Sequence, residues 1–135
     1  KAAEYGVWTR FIELAGEAAN GIVFPAGKLL VADSIADDDP QKPVLQAYAK
    51  EYEAMYKASA DTFGGHAYDA LHLVVNAIKE VGPDRAKIRD FIENTKGFQG
   101  TAGTFNFSPE DHCGLTKEAF ELITVKGGKF VPLQP

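Results

Sequence analysis

Several short constellations in this chain carry side chains able to do chemistry. Asp111-His112-Cys113 sets a thiol beside an imidazole and a carboxylate, the residue types of a nucleophilic hydrolase. Adjacent residues do not usually aim their side chains at one another, however, and no oxyanion motif accompanies the trio. His66 and Asp69 share one helical face, as a metal or catalytic pair would. A third ligand at compatible spacing is lacking, and His72 points elsewhere around that helix. Asp37-Asp38-Asp39 has the composition of a calcium loop but neither its alternation nor its distal Glu, and it reads as a solvated surface loop. Phe63-Gly64-Gly65-His66 opens a helix whose free N–H groups suit an anion such as a carboxylate, with glycines that permit close approach. The alternative there is a plain turn at Gly64-Gly65.

Composition narrows the classes. The 135 residues fit one domain with a usable core. A net charge of −5, with basic residues spread along the chain, argues against a nucleic-acid partner, which demands a positive face. No apolar run approaches the roughly 20 residues that span a bilayer. Cys113 is the single cysteine, so an intrachain disulfide is impossible. No metal or other cofactor is expected. The chain opens at Lys1 without a Met or a signal peptide, and reads as a processed product or a piece of something longer.

The elements that must position these groups alternate between helices and short strands. Phe11, Leu14, Ala15 and Ala18 form a helical stripe that Asn20-Gly21 stops. Ile22-Val23-Phe24 is a buried strand, central and parallel in character, that Pro25 ends. A long connection from Ala26 to Pro43 follows. Val44–Ala58 returns to helix, with Leu45, Tyr48, Tyr52, Met55 and Tyr56 as its apolar side. The next helix runs from about His66 to Val81, entered through Thr62–Gly65 and left through Gly82-Pro83, and Asp84 caps a further one with stripe Ile88, Phe91 and Ile92. Beyond Gly97 the period falls to two. Thr104–Phe107 alternates, and Phe120–Val125 pairs with Phe130-Val131 through Lys126-Gly127-Gly128. Helices outnumber convincing buried strands. A doubly wound α/β sheet normally supplies several such strands, covered on both faces, so the missing ones are expected upstream.

The order of segments resembles a known family. Phe11–Phe24 (FIELAGEAANGIVF) is similar to the helix-to-strand unit late in the branched-chain amino-acid binding proteins of ABC importers. Pro25–Ala32 (PAGKLLVA), Tyr48–Tyr56 (YAKEYEAMY), Gly65–Leu71 (GHAYDAL), Ile88–Glu93 (IRDFIE), Gly97–Phe105 (GFQGTAGTF) and Ser108–His112 (SPEDH) follow in the expected order. The resemblance covers nearly the whole chain. It implies the α/β, two-lobed type I periplasmic binding protein fold, with this chain as its C-terminal third and its sheet incomplete. By that resemblance residues 1–24 end the second lobe, 25–27 are a lobe crossing, 28–112 pack onto the first lobe, and 113–135 return to the second.

Function in such a family is closure of two lobes over a ligand, with no catalysis. The resemblance places a second-lobe ligand loop at residues 4–8, before the first helix. There the Glu4 carboxylate can pair with a substrate ammonium while Tyr5 or Trp8 walls an apolar side chain or stacks on a ring; the alternative is that Glu4 is frayed and solvated and Trp8 fills core. Phe63, Gly64, Gly65 and His66 complete the candidate ligand residues. The implied ligand is a branched-chain amino acid or a hydrophobic or aromatic carboxylate, and the implied partners are ABC permease subunits in the inner membrane of a Gram-negative cell. The resemblance also reads Asp111–Cys113 as a polar turn before a lobe crossing. An extracytoplasmic sensing domain of a receptor or regulator is the other reading, and a Cys/His hydrolase the remotest. Without the upstream strands the chain alone is not expected to be a competent monomeric receptor; it is expected either to associate with another copy, exchanging the Gly114–Leu133 segment, or to be held by a partner carrying the rest.

Overall fold

The structure, a computed structural model, describes residues 7–133, with side chains from Arg10 onward. Helix α1 (Val7–Ala15) stops short of the expected Ala18. Gly16 turns left-handed at φ 55°, and a 3₁₀ turn, Gly16–Ala19, takes over. Leu14, expected on the apolar stripe, is exposed, whereas Ala19 is buried. Strand β1 (Val23–Gly27) corrects two expectations. It runs through Pro25 rather than ending there, and it pairs antiparallel with β4 (Phe120–Lys126). With the order β1-β4-β5, β1 is an edge strand among the described residues, not a central parallel one. An edge position explains the proline, which has no N–H to give a second neighbour. Strand β5 (Lys129–Pro132) returns from β4 through Gly127-Gly128, whose positive φ values of 56° and 75° make the tight hairpin turn.

The stretch Ala26–Pro43, expected as a bare connection, supplies much of the core. A 3₁₀ segment, Lys28–Ser34, kinks at Val31 and buries Leu29, Val31 and Ala32. With Ile35 they pack against Leu45 and Tyr48 of α2 (Lys42–Tyr56) and Ile123 of β4. A 3₁₀ turn has no 3.6-residue stripe, so periodicity passes over it. In α2 the buried positions are Leu45 and Tyr48. Tyr52 is half-buried, and Met55 and Tyr56 face outward. The tyrosines form an aromatic row from Tyr48 through Tyr52 to Tyr56, with ring centroids 5.8 and 4.7 Å apart.

Helix α3 (Thr62–Val81) begins at Thr62, not near His66. The Asp61 carboxylate caps it, accepting the Gly64 N–H at 2.7 Å. Helix α4 (Arg85–Glu93) is capped by Asp84 as expected, through the Lys87 N–H. A two-residue strand pair, β2 (Phe98–Gln99) with β3 (Thr104–Phe105), follows. The expected alternation to Phe107 leaves the sheet after Phe105, because the Phe107 N–H turns back to the Thr95 carbonyl. The Phe105 and Phe107 rings stack with centroids 5.3 Å apart.

Leu45 is wholly buried and Leu14 is not, which separates core from surface. Leu45→Ala is expected to lower the unfolding free energy by about 2–5 kcal/mol, and Leu14→Ala to change it by no more than about 0.5 kcal/mol. Chemical denaturation of the two variants checks both. Equal losses would mean that α1 packs far more tightly than its exposure says.

Candidate functional site

The candidate site is built on the loop between β2 and β3, which is clamped from both sides. From α3, the Asp69 carboxylate, only 2% exposed, accepts the Thr101 N–H at 2.7 Å, the Ala102 N–H at 2.8 Å and the Thr101 hydroxyl at 3.1 Å. From the start of α2, the buried Gln41 amide donates to the Gly100 and Thr101 carbonyls at 3.1 and 2.9 Å. Donors and acceptors of one short segment are thus both satisfied inside the protein, as buried backbone requires. Close approach is bought with glycine: a Cβ on Gly100 would stand 2.7 Å from Asp69 Oδ2, and one on Gly65 2.6 Å from Thr101 Oγ1.

This clamped loop, β1 and the first turns of α3 enclose a cavity of about 260 Å³. Pro25, Ala26 and Leu29 give it apolar walls, Phe120 closes one side, and Thr62 and His66 bring a hydroxyl and an imidazole. Of the residues singled out from sequence, His66 reaches this cavity. Phe63 is exposed and lines none of it. Gly64 and Gly65 serve packing instead, since a Cβ on Gly64 would meet the Tyr48 hydroxyl at 2.5 Å. Burial pushes the Tyr48 phenol up to about 12, helped by the neighbouring Tyr52 and the charges of Asp61 and Asp69, so it stays neutral there. The amide of Gly64, offered from sequence as an anion donor, is held by Asp61. Glu4 and Tyr5 lie outside the described residues, as does the Trp8 side chain. The Trp8 backbone belongs to α1 itself rather than to a loop before it. Thr62, Thr101 and Ala102 were not singled out, although the glycines around Thr101 marked a segment of close backbone approach.

The other constellations hold structure together. His66 and Asp69 do not act as a pair, because Asp69 turns into the loop clamp, and His72 lies against Tyr68 with the rings tilted and their centroids 4.1 Å apart. Among the described residues no group of three or more His, Cys, Asp or Glu could hold a metal ion. Asp111 Oδ1 accepts the N–H groups of Gly114 and Cys113 at 3.0 and 2.9 Å, and these bonds hold its carboxyl below the ordinary range. His112 meets Glu93 of α4 at 2.9 Å. Asp39 pairs with Lys28 at 2.7 Å and caps the Gln41 N–H. Burial raises its pKa, but the bonds from Lys28 and Gln41 outweigh that and leave it lowered. Asp37 pairs with Lys42.

The α/β fold carries a largely apolar cavity beside β1, the strand that pairs with β4. Residues 3–129 match the family described as periplasmic binding protein, and the chain belongs to it, with the type I fold. An extracellular ligand-binding receptor from Rhodopseudomonas palustris HaA2 is similar at 29% identity and a TM-score of 0.82, over 93% of this chain and 37% of that one. A second such receptor from Rhodopseudomonas palustris is 30% identical, with a TM-score of 0.78 over 93% of this chain and 38% of its own. The branched-chain amino-acid transporter substrate-binding protein LivJ from Streptococcus pneumoniae, solved with isoleucine, is 27% identical, with a TM-score of 0.69 over 90% and 32%. The chain therefore spans about a third of the length of these structures. No curated protein sequence matches it significantly.

The clamp makes a sharp demand on Asp69. In Asp69→Asn one oxygen becomes a donor facing a donor, so the substitution is expected to cost about 1.5–3 kcal/mol. Thr101→Val, which removes one hydroxyl bond and keeps the shape, should cost about 1 kcal/mol. Thermal and denaturant unfolding measure both, and a neutral Asp69→Asn would show that the clamp does not hold the loop.

Proposed function

We propose that this chain is the C-terminal part of the solute-binding component of an ABC importer. It works outside the cytoplasmic membrane, in the periplasm of a Gram-negative cell, closes two lobes about a hinge over a small organic acid, and delivers it to the membrane permease. The observation that carries the reading is the family match over residues 3–129. The cavity beside β1 supports it, since a binding site of this kind asks for apolar walls and a few placed polar groups. In this reading residues 25–27 and the turn near 113 carry the lobe crossings, and β1 paired with β4 is the hinge ladder.

The ligand is a branched-chain amino acid or a hydrophobic or aromatic carboxylate. Leu29 and Phe120 suit an apolar side chain or ring, and the Thr62 hydroxyl and His66 imidazole suit a carboxylate. Glu4, Tyr5 and Trp8 are proposed to bring the second-lobe contacts, with Glu4 receiving an ammonium when the ligand has one. The isoleucine bound by the similar Streptococcus pneumoniae protein supports the amino-acid alternative.

The two-lobed protein is expected to be stabilised by one of leucine, isoleucine, phenylalanine, benzoate or 4-hydroxybenzoate, by about 2.7 kcal/mol at a hundred times the dissociation constant. His66→Ala should weaken that ligand while leaving the unliganded melting temperature in place. Thermal-shift titration decides. If none of these acids shifts the transition, or if the protein converts one of them to product, the proposal fails.

The chain of 135 residues is proposed to self-associate when alone. Leu71, Val74 and Ile78 form an open apolar stripe along α3, with Leu71 62% exposed, a feature that soluble monomers seldom leave uncovered over a wide patch. Light scattering should report a dimer or larger species that Leu71→Asp disperses. A compact monomer binding one of the acids above at micromolar strength would contradict this.

A further inference from the structure

A second cavity lies away from β1, and its walls share no residue with the first. Ile88 and Ile92 of α4 face Phe107 across a cleft of about 430 Å³ rimmed by Arg85, Arg89, Glu93 and His112. That volume is within the range of small-molecule sites, roughly 300–1,000 Å³. The charges around it are unequal in their freedom. Glu93 is taken by Arg89 at 2.7 Å and by His112 at 2.9 Å, and Arg89 is bonded to Asp90 as well. Arg85, exposed in the first turn of α4, has no ion pair among the described residues, so the cleft keeps an uncompensated guanidinium at one end. This positive end stands out on a chain whose net charge is −5.

Arg85, Ile88, Arg89 and Ile92 follow the spacing of one helical stripe. From Arg85 to Ile92 the stripe extends roughly 10 Å, the reach of a medium-chain acyl group. The occupant that fits is a molecule with one anionic head and an apolar body. A guanidinium takes a carboxylate in bidentate fashion, while Ile88, Ile92 and Phe107 cover the tail.

We propose that the cleft between α4 and the turn at residues 107–112 is a second ligand site, for an amphipathic monocarboxylate, separate from the site at β1. Octanoate is the probe, with octylammonium as its oppositely charged counterpart. Isothermal titration of the two-lobed protein, with backbone amide NMR shifts as a locator, reads the result. Octanoate should bind saturably and shift the amides of α4 and of residues 107–112, and octylammonium should not. Arg85→Glu, at an exposed position where folding is undisturbed, should weaken octanoate about tenfold or more, with Arg85→Lys recovering part of the loss. His66→Ala should leave this binding intact, which distinguishes it from the site at β1. Octanoate affinity unchanged in Arg85→Glu, amide shifts confined to the cavity beside β1, or no saturable binding would each overturn the proposal.

Discussion

The Asp69 carboxylate is the interaction on which the rest of this structure hangs. A charge at 2% exposure is costly unless its oxygens are filled, and here three donors from Thr101 and Ala102 fill them. Filling them draws the β2–β3 loop down onto α3, where only Gly65 and Gly100 leave room. The loop then presents Thr101 and Ala102 as one wall of the cavity beside β1. Gln41 holds the same loop from the start of α2, so buried hydrogen bonds join α2, α3 and the loop into one unit. A cavity wall held this way is preorganised by its hydrogen bonds.

β1, paired antiparallel with β4, connects to that unit through the residue that follows it. Gly27 faces Phe120 at one end of the ladder and Val23 faces Thr124 at the other. Lys28 follows β1 directly, and its ammonium is fixed to Asp39, both side chains under a fifth exposed. Asp39 in turn caps Gln41, the residue that holds the loop. β1 is thereby linked through Lys28, Asp39 and Gln41 to the loop. The depressed pKa of Asp39 gives this link its pH sense: its stabilisation is present above the ordinary carboxylate value and fades as pH falls through the lowered one.

What could be read from the sequence was what has a period or a strong local signal. Leu45 and Tyr48 at helical spacing, Asp84 before Arg85, and Gly127-Gly128 between alternating strands each state their conformation locally. The Lys28–Ser34 core segment could not be read, because a 3₁₀ turn has no stripe, and Pro25 looked like an end because a proline inside a strand is tolerated only at an edge. The start of α3 was misplaced for a related reason. Gly64-Gly65 weakens helix propensity, while the Asp61 cap and the fit against Tyr48 and Thr101 are tertiary facts that override it. For the candidate site, His66 was legible as a polar residue at a helix start. Thr101 and Ala102 come to it only through the fold.

The residue types at Asp111-His112-Cys113 are those of a nucleophilic centre, but their hydrogen bonds serve the fold. A nucleophilic centre needs its carboxylate to orient the imidazole and its imidazole to reach the thiol. Asp111 instead directs Oδ1 at two backbone N–H groups and closes a turn, while His112 reaches across to Glu93 and ties that turn to α4. The Lys96 ammonium, bonded to the Phe107 carbonyl, fastens the same turn from its other end. Each polar group near Cys113 thus fixes backbone just ahead of Gly114, where φ turns positive at 67° and the chain heads back toward β4. These bonds tie the turn at residues 107–114 to α4 and to the segment that follows it.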